Sequence, residues 1–562
     1  MAKKLLALFI ALVAVLSCAC TPQAEAPTET ALLTSAPVAT PEPEPTLDKN
    51  LIILYTNDAH CGVDDAIGYA GLAALKAEMA SDGSYVTLVD CGDAVQGAPI
   101  GTLSEGSYII DIMNEVGYDV AVPGNHEFDY GMDRLFELAD QANFPYVSCN
   151  FTDLSTGKTV FDPYVIKEYN GVKVAYVGIC TPKTITSSTP AYFQDDAGNF
   201  VYGFLQDETG AGVYAAVQSA VDAARAEGAQ YVIALGHLGI TYDCTPWTSG
   251  EVIANTSGID IFLDAHSHSV IDCERVKNKA GNWVLLSSTG TKLNAVGMLL
   301  IQPDGGVSTG LITDYAEKDG ATAAFIDSIK AQYDALLNEV VAVSEVNLVV
   351  NDPATGIRIV RVAETNLGDL CADAYRALSG ADVAFVNGGG VRAEIPAGDV
   401  TYGSILNVHP FGNELCMIEV TGQQILDALE MGARNVPEEN GGFLQVSGLT
   451  YEIHTYMPSS VKTDENGMFV SVEGEYRVKN VLVGGEPLDL AKTYTLASHN
   501  YMLLNQGDGY TMFAGCNVLL DRIMLDNQVL MNYIIERLGG VVGADYADPY
   551  GQGRIVAVEE AP

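Results

Sequence analysis

The sequence predicts an α/β architecture with at least two folded bodies. Short runs of Val, Ile, Leu and Tyr at 51–56, 85–89, 172–179, 231–235, 259–263 and 283–287 each stop abruptly at a polar or glycine-rich loop. Continuous apolar runs of that length suit strands buried on both faces. Between them, 67–80 and 213–227 carry helical spacing of apolar residues, so strand and helix alternate. The chain has 562 residues, 48% of them hydrophobic, which is material for more than one core. At roughly 150 residues per domain it holds about two to four domains.

From the N-terminus, the first element reads as an export signal. Lys3 and Lys4 precede an apolar run over 5–16, followed by Ser17 and Cys18. The run is too short to span a membrane. Val15-Leu16-Ser17-Cys18 resembles a bacterial lipobox, which makes 1–17 a signal peptide and Cys18 a lipid anchor to the outer face of the cell membrane. Cys20 is the weaker candidate, and secretion with cleavage near Ala19 is the alternative. Residues 18–48 are rich in Pro, Ala, Thr and Glu and include Pro41-Glu42-Pro43-Glu44-Pro45. Such a segment cannot bury enough surface to offset its ordering entropy, so it reads as an extended tether.

The first body is expected over 49–320. Its last part, 297–312, turns toward strands around Pro303-Asp304-Gly305-Gly306. Phe325, Ile329, Tyr333, Leu336, Leu337 and Val340 then form an apolar stripe at three- to four-residue spacing, which predicts a connecting helix over 321–340 within a connector of 321–344. The second body, 345–562, alternates again through segments at 367–378, 418–434 and 477–482.

Charge narrows the function. Lys plus Arg number 28 against 72 Asp plus Glu, a net charge of -44, which excludes non-specific binding to DNA or RNA. An anionic substrate must then be drawn in by local positive charge, from metal ions or placed arginines. The eleven cysteines include no CxxC and no regular framework, so most are expected to be buried thiols. No residue pattern specifies an oligomeric state.

Five of the eight histidines fall in the first body just past predicted strands: His60, His126, His237, His266 and His268. Around them stand Asn57-Asp58-Ala59-His60, Gly92-Asp93, Gly124-Asn125-His126-Glu127-Phe128-Asp129, Gly236-His237 and Ala265-His266-Ser267-His268. Imidazoles, carboxylates and an amide oxygen suit Zn²⁺, Mn²⁺, Fe or Co, and the carboxyl ends of α/β strands are where such sheets place their sites. In the second body, Arg392 within Gly388-Gly389-Gly390-Val391-Arg392 is notable because basic residues are scarce. A guanidinium there can take a phosphate through two parallel hydrogen bonds, or hold the loop by an internal ion pair.

The five first-body segments resemble, in order, the calcineurin-like metallophosphoesterase signature. Gly-Asn-His-Glu-Phe-Asp and Asn-Gly-Gly-Gly-Val-Arg are similar to those of bacterial and animal 5'-nucleotidases, as are Glu364-Thr365-Asn366-Leu367-Gly368, Pro410-Phe411-Gly412 and Asn505-Gln506-Gly507-Asp508-Gly509-Tyr510. The resemblance spans about residues 50–540. It implies a four-layer α/β/β/α sandwich followed by a separate α/β substrate-binding domain.

By that resemblance two divalent metal ions are bound, one by Asp58, His60 and His268 and the other by Asn125, His237 and His266, with Asp93 bridging. Hydroxide activated by the pair is the implied nucleophile, His126 acts at the phosphoryl oxygen or leaving group, and Asp129 orients its ring. His268 stands where relatives often carry an amide. Phe411 and Tyr501 are implied to sandwich a base, Asp508 to accept ribose hydroxyls, Arg361 and Arg392 to hold phosphate, and Asn387 to contact base or sugar. A plain packing role for Phe411 stays open. The implied activity is hydrolysis of 5'-nucleotides to nucleoside and phosphate, extending to UDP-sugars. The alternatives are a 2',3'-cyclic nucleotide phosphodiesterase with 3'-nucleotidase activity and a non-catalytic nucleoside-binding surface lipoprotein.

Overall fold

The computed structural model describes residues 45–561, apart from 65, 196 and the side chain of Asp243. The expected signal peptide, Cys18, Cys20 and most of the tether lie outside the described residues. Among the described residues no helix is long and apolar enough to cross a membrane.

Two sheets face each other in the N-terminal domain. The first has the order Val307–Ile312, Val296–Ile301, Leu51–Thr56, Tyr85–Asp90, Val120–Ala121. Leu51–Thr56 runs parallel to Tyr85–Asp90 and antiparallel to Val296–Ile301. The second has the order Val270–Lys277, Trp283–Thr289, Ile261–Leu263, Tyr231–His237, Val172–Cys180, Tyr164–Tyr169, with its four central strands parallel.

The two-residue period of a strand divides its side chains between two cores. Leu51, Ile53 and Tyr55 point inward and meet Val174, Tyr176, Ile233 and Leu235 of the facing sheet. Ile52 and Leu54 point outward beneath the helices Gly68–Ala80, Ser107–Val116 and Gly320–Lys330. On the far side Ala175, Val177, Val232 and Phe262 pack under Ala211–Ala226 and Ser249–Asn255. The result is a four-layer α/β/β/α sandwich. Burial on both faces is why these strands read as unbroken apolar runs rather than as alternating ones.

The stripe over 321–340 folds differently from the single helix its spacing predicts. Helix Gly320–Lys330 buries Ile326 and Ile329 in the outer core of the first sheet, the chain turns at 331–333, and a short helix spans Asp334–Leu337. Val340–Ser344 is a strand, paired with Gly398–Thr401 and Val541–Val542. The β-branched residues at 340, 341 and 343 favour that outcome over a continued helix.

The C-terminal domain is built on a five-stranded sheet in the order Leu444–Ser447, Val383–Asn387, Thr493–His499, Leu415–Thr421, Val518–Leu520. Helix Asn366–Ser379 covers one face with Ala384, Val386 and Ala497. Helix Gly422–Ala433 covers the other with Val383, Phe385 and Ile418. Both helices start at a threonine whose hydroxyl accepts a backbone N–H, Thr365 from Gly368 and Thr421 from Gln424, the latter as a full capping box. Cys61, Cys91, Cys149, Cys180, Cys371 and Cys416 are buried free thiols, and Cys273 is exposed.

Candidate active site

All five metal-type segments open from the carboxyl ends of the two sheets and converge on one rim. Their backbone is contorted there. Asp58, His60, Asp93, His266 and His268 have φ of 48°, 43°, 60°, 75° and 52°. Left-handed backbone at a non-glycine residue costs about 1–3 kcal/mol and persists only where its surroundings enforce it. The enforcing contacts include Asp58 N–H to Gly92 O at 2.9 Å and His60 N–H to Asp93 O at 2.9 Å. Two glycines permit the crossing of loops: a Cβ on Gly92 would lie 2.4 Å from Gly124 N, and one on Gly124 would lie 2.2 Å from Asp93 Oδ1.

These turns gather the side chains into three overlapping groups. Asp58, His60 and His268 present ligand atoms within 4.8 Å of one another, and so do His60, Asp93 and His126, and Asp93, His237 and His266. Asp93 belongs to the last two, its Oδ2 lying 3.1 Å from His237 Nε2 and 3.8 Å from His60 Nε2. Asn125 Oδ1 is 3.3 Å from His237 Nε2, and His268 Nε2 is 3.6 Å from Asp58 Oδ1. His60 Nδ1 donates to Gln96 O at 3.0 Å and His237 Nδ1 to Cys91 O at 2.8 Å. Those bonds leave each Nε2 free to ligate. His60 Nε2 and His268 Nε2 stand 2.9 Å apart. Two nitrogens at roughly 2.1 Å from one ion stand about 3.0 Å apart at a ligand angle of about 90° and about 3.4 Å at the tetrahedral one, so the spacing is close to that of a shared cation with near-perpendicular ligands.

The electrostatics also fit. Burial pushes the Asp58 carboxyl up to about 7, reinforced by Asp93 and opposed by His237. Burial pushes Asp90 up to about 8. Asp93 is held well below the usual range, its burial outweighed by His237, His126 and His60. His237 rises to about 10, Asp93 overcoming the effect of burial, whereas burial keeps His60 and His268 neutral. Two buried carboxylates, Asp58 and Asp93, that disfavour each other's charge, beside imidazoles held neutral at His60 and His268, form a donor set that cations stabilise.

Three supporting residues were not singled out from the sequence. Asn57 donates to Asp58 Oδ2 at 2.7 Å and to Gly290 O at 2.8 Å, while its Oδ1 accepts from Thr289 N and Oγ1. Glu127 accepts the backbone N–H of Asp93, Ala94 and Gly124 at 2.8, 2.8 and 2.6 Å, tying two ligand loops together. Arg358 lines the cleft with Arg361 and Arg392 and pairs with Glu439. Asn57 and Glu127 lie inside the ligand segments themselves, a position that could have flagged them. Cys61 and Cys91 donate instead to Ala94 O and Leu263 O, and burial raises both thiols, so they serve packing.

Beside the clustered ligands, His126 Nδ1 meets Asp129 Oδ2 at 2.5 Å, and Asp129 Oδ1 accepts from Ser188 at 3.1 Å. Although burial opposes it, Asp129 and Asp93 raise the His126 pKa. The cleft above has a volume of about 1000 Å³ and is lined from both domains. Phe411 stacks on the His126 ring, centroids 5.7 Å apart at 23°, and the Arg392 guanidinium lies 5.6 Å from the Phe411 ring. Arg392 makes no ion pair among the described residues, and Arg361 Nε has no hydrogen-bond partner there. Tyr501 OH donates to Thr186 O at 2.7 Å across the domain boundary and accepts from Asp508 N at 3.1 Å. Asn387 Nδ2 donates to Asp508 Oδ2 at 2.7 Å. All the residues singled out in the second body therefore line one cleft. Phe411 also packs against His126, and no ring contact joins Phe411 to Tyr501 among the described residues.

Residues 51–270 match the family model described as calcineurin-like phosphoesterase, and 340–515 match the 5'-nucleotidase C-terminal domain. The chain belongs to the 5'-nucleotidase family of calcineurin-like phosphoesterases. Among its relatives, the trifunctional nucleotide phosphoesterase protein of Bacillus subtilis is 29% identical over 92% of this chain, which spans 36% of that protein's length. A 5'-nucleotidase of Vibrio cholerae is 27% identical, with 86% of this chain and 90% of that protein covered. The crystal structure of a 5'-nucleotidase precursor from Thermus thermophilus is similar with a TM-score of 0.76 at 27% identity, over 91% of this chain and all of that one, 100%. As a member of this family, the chain is a phosphoesterase-type hydrolase with a candidate two-metal site.

Proposed function

We propose that this enzyme hydrolyses 5'-nucleotides to nucleoside and phosphate, and that its cleft also admits UDP-sugars. The convergence of Asp58, His60, Asp93, Asn125, His237, His266 and His268 beneath an arginine-lined cleft carries the reading. By their donor set, Asp58, His60 and His268 would hold one divalent ion, Asn125, His237 and His266 a second, and Asp93 would serve both; Zn²⁺, Mn²⁺, Co²⁺ and Fe all suit this mixture. Such a pair supplies a nucleophilic water of lowered pKa and neutralises charge on the phosphoryl oxygens.

The chain's own groups do the rest. Arg392 and Arg361 orient the anionic phosphate, and their unpaired donors leave them available for it. Asp129 accepts the Nδ1 proton of His126 and raises its pKa, which favours a proton on Nε2 for the phosphoryl oxygen or the leaving group. Phe411 and Tyr501 offer aromatic faces to the base, where stacking contributes roughly 1–3 kcal/mol and tolerates any base. Asp508, tethered by Asn387, accepts ribose hydroxyls.

Phosphate release measured on metal-reconstituted protein across 5'-nucleotides, 3'-nucleotides, 2',3'-cyclic nucleotides and UDP-glucose tests the proposal. Turnover led by 5'-nucleotides supports it. Turnover led by cyclic and 3'-nucleotides transfers the assignment to the cyclic phosphodiesterase class, and none at all supports the binding-protein alternative. From its N-terminal sequence, we also propose export and lipid anchoring at Cys18. Mass spectrometry of the processed chain expects diacylglyceryl-modified Cys18 as its first residue, and an unmodified terminus near Ala19 contradicts anchoring.

A further inference from the structure

Strand Thr493–His499 places its last residue, His499, 1% exposed and behind Asn387 and Tyr501, which themselves line the cleft. His499 lies between two aromatic rings, with Tyr375 edge-on at 6.1 Å and Tyr501 tilted at 5.7 Å. It is absent from the residues singled out above. Its Nδ1 caps the helix Asn500–Leu503 by accepting Met502 N–H at 3.4 Å. A backbone N–H can only donate, so Nδ1 carries the lone pair. Burial pushes this imidazole down to about 3, so the ring is neutral and its one proton sits on Nε2.

That Nε2 lies 3.0 Å from Asn387 Oδ1. Nε2–H therefore donates to the amide oxygen, which turns Asn387 Nδ2 toward Asp508 Oδ2 at 2.7 Å. The glycine run is shaped around the same bond. A Cβ on Gly390 would come within 2.5 Å of Asn387 Oδ1 and 3.8 Å of His499 Nε2. Asp508 itself is held in left-handed backbone, with φ of 53°.

We propose that His499 is a positioning residue that sets nucleoside specificity: by donating to Asn387 it fixes the amide orientation that anchors one oxygen of Asp508 and leaves the other to accept substrate hydroxyls. The inference rests on the proposed reading of the cleft as a nucleoside site. Without the Nε2 proton, the Asn387 amide can rotate and place its own oxygen against Asp508, two acceptors face to face. The hydroxyl-binding oxygen is then no longer held.

Calorimetric binding of adenosine and of 2',3'-dideoxyadenosine, beside kcat and KM for 5'-AMP, tests this in wild type, His499→Phe and His499→Gln. His499→Phe keeps a ring between Tyr375 and Tyr501 but removes both nitrogens. The expected result is about a tenfold loss of adenosine affinity, the equivalent of one hydrogen bond, with dideoxyadenosine affinity within about twofold of wild type. KM for 5'-AMP should rise by a similar factor while kcat changes by less than about threefold. His499→Gln retains a donor amide and should recover part of the loss, and it carries the test if the Phe variant does not fold. Equal losses for both nucleosides, or unchanged adenosine affinity in a folded variant, would overturn the proposal, as would a wild-type chain that binds neither nucleoside. A wild type that binds adenosine but hydrolyses no nucleotide counts against the proposed activity alone, because binding reads the relay without turnover.

Discussion

Glu127→Gln is the perturbation that separates support of the metal centre from the ligands themselves. Glu127 is 1% exposed, so water cannot replace a lost partner. Its Oε2 accepts Asp93 N–H and Gly124 N–H, and its Oε1 accepts Ala94 N–H. A glutamine oxygen can take the Oε2 position and keep two of the three bonds in weaker, uncharged form. Its NH₂ then faces the Ala94 N–H, donor against donor. Losing one bond to a charged acceptor and leaving a buried donor unsatisfied together cost about 2–4 kcal/mol of stability. Because the two clamped loops carry Asp93 and Asn125, metal affinity should also fall, by about 10- to 100-fold as for other residues that orient ligands. Denaturant unfolding gives the first quantity and competition with a chromogenic chelator the second, and raising the metal concentration should restore much of the phosphate release. A variant with wild-type stability and with metal affinity within about twofold of wild type would refute the clamp.

Other outcomes follow from the same geometry. Asp129→Asn removes the carboxylate that holds the His126 Nδ1 proton, so kcat should fall about 100-fold with little change in KM. Because the lost charge had raised the His126 pKa, the alkaline limb of the pH–rate profile should also move to lower pH. Tyr501→Phe removes the bonds to Thr186 O and from Asp508 N, and KM for nucleotide should rise about tenfold, read by steady-state kinetics. Asp90, pushed up to about 8 chiefly by burial, holds a proton that the unfolded chain releases near pH 4, so its contribution to stability is full below about pH 4 and is lost as pH rises to 8. Denaturation midpoints of chelator-treated protein should show the Asp90→Asn variant gaining on wild type by about 1.4 kcal/mol per pH unit between pH 5 and 7, and parallel curves would contradict the assignment.

Much of the fold could be read directly from residue patterns. Leu51–Thr56, Val172–Cys180 and Trp283–Thr289 are strands where apolar runs predict them, because doubly buried strands leave an unbroken signal. The helix expected over 321–340 failed at its end because periodicity at Tyr333, Leu336 and Val340 does not report that a sheet edge waits to pair with 340–344. The metal-type residues were legible from chemistry and spacing, and the structure brings them within reach of one another. What no pattern showed is how: left-handed backbone at Asp58, His60, Asp93, His266 and His268 turns side chains that would otherwise diverge toward one point. The roles of Glu127 and His499 were hidden for a related reason. Both act through hydrogen bonds to groups distant in sequence or to main-chain N–H, and composition carries no trace of such partners. The resemblance implies a base-stacking role for Phe411 and leaves a packing role open, but its contact with His126 spans 285 positions and needed the two domains in place.

In the proposed reading Asp93 would serve two divalent ions at once. Anomalous diffraction from crystals grown with Mn²⁺ tests it most directly. The expected result is two peaks about 3.5–4 Å apart, one bounded by Asp58, His60 and His268, the other by Asn125, His237 and His266, with Asp93 touching both. A single peak, or two peaks that do not share Asp93, would contradict it.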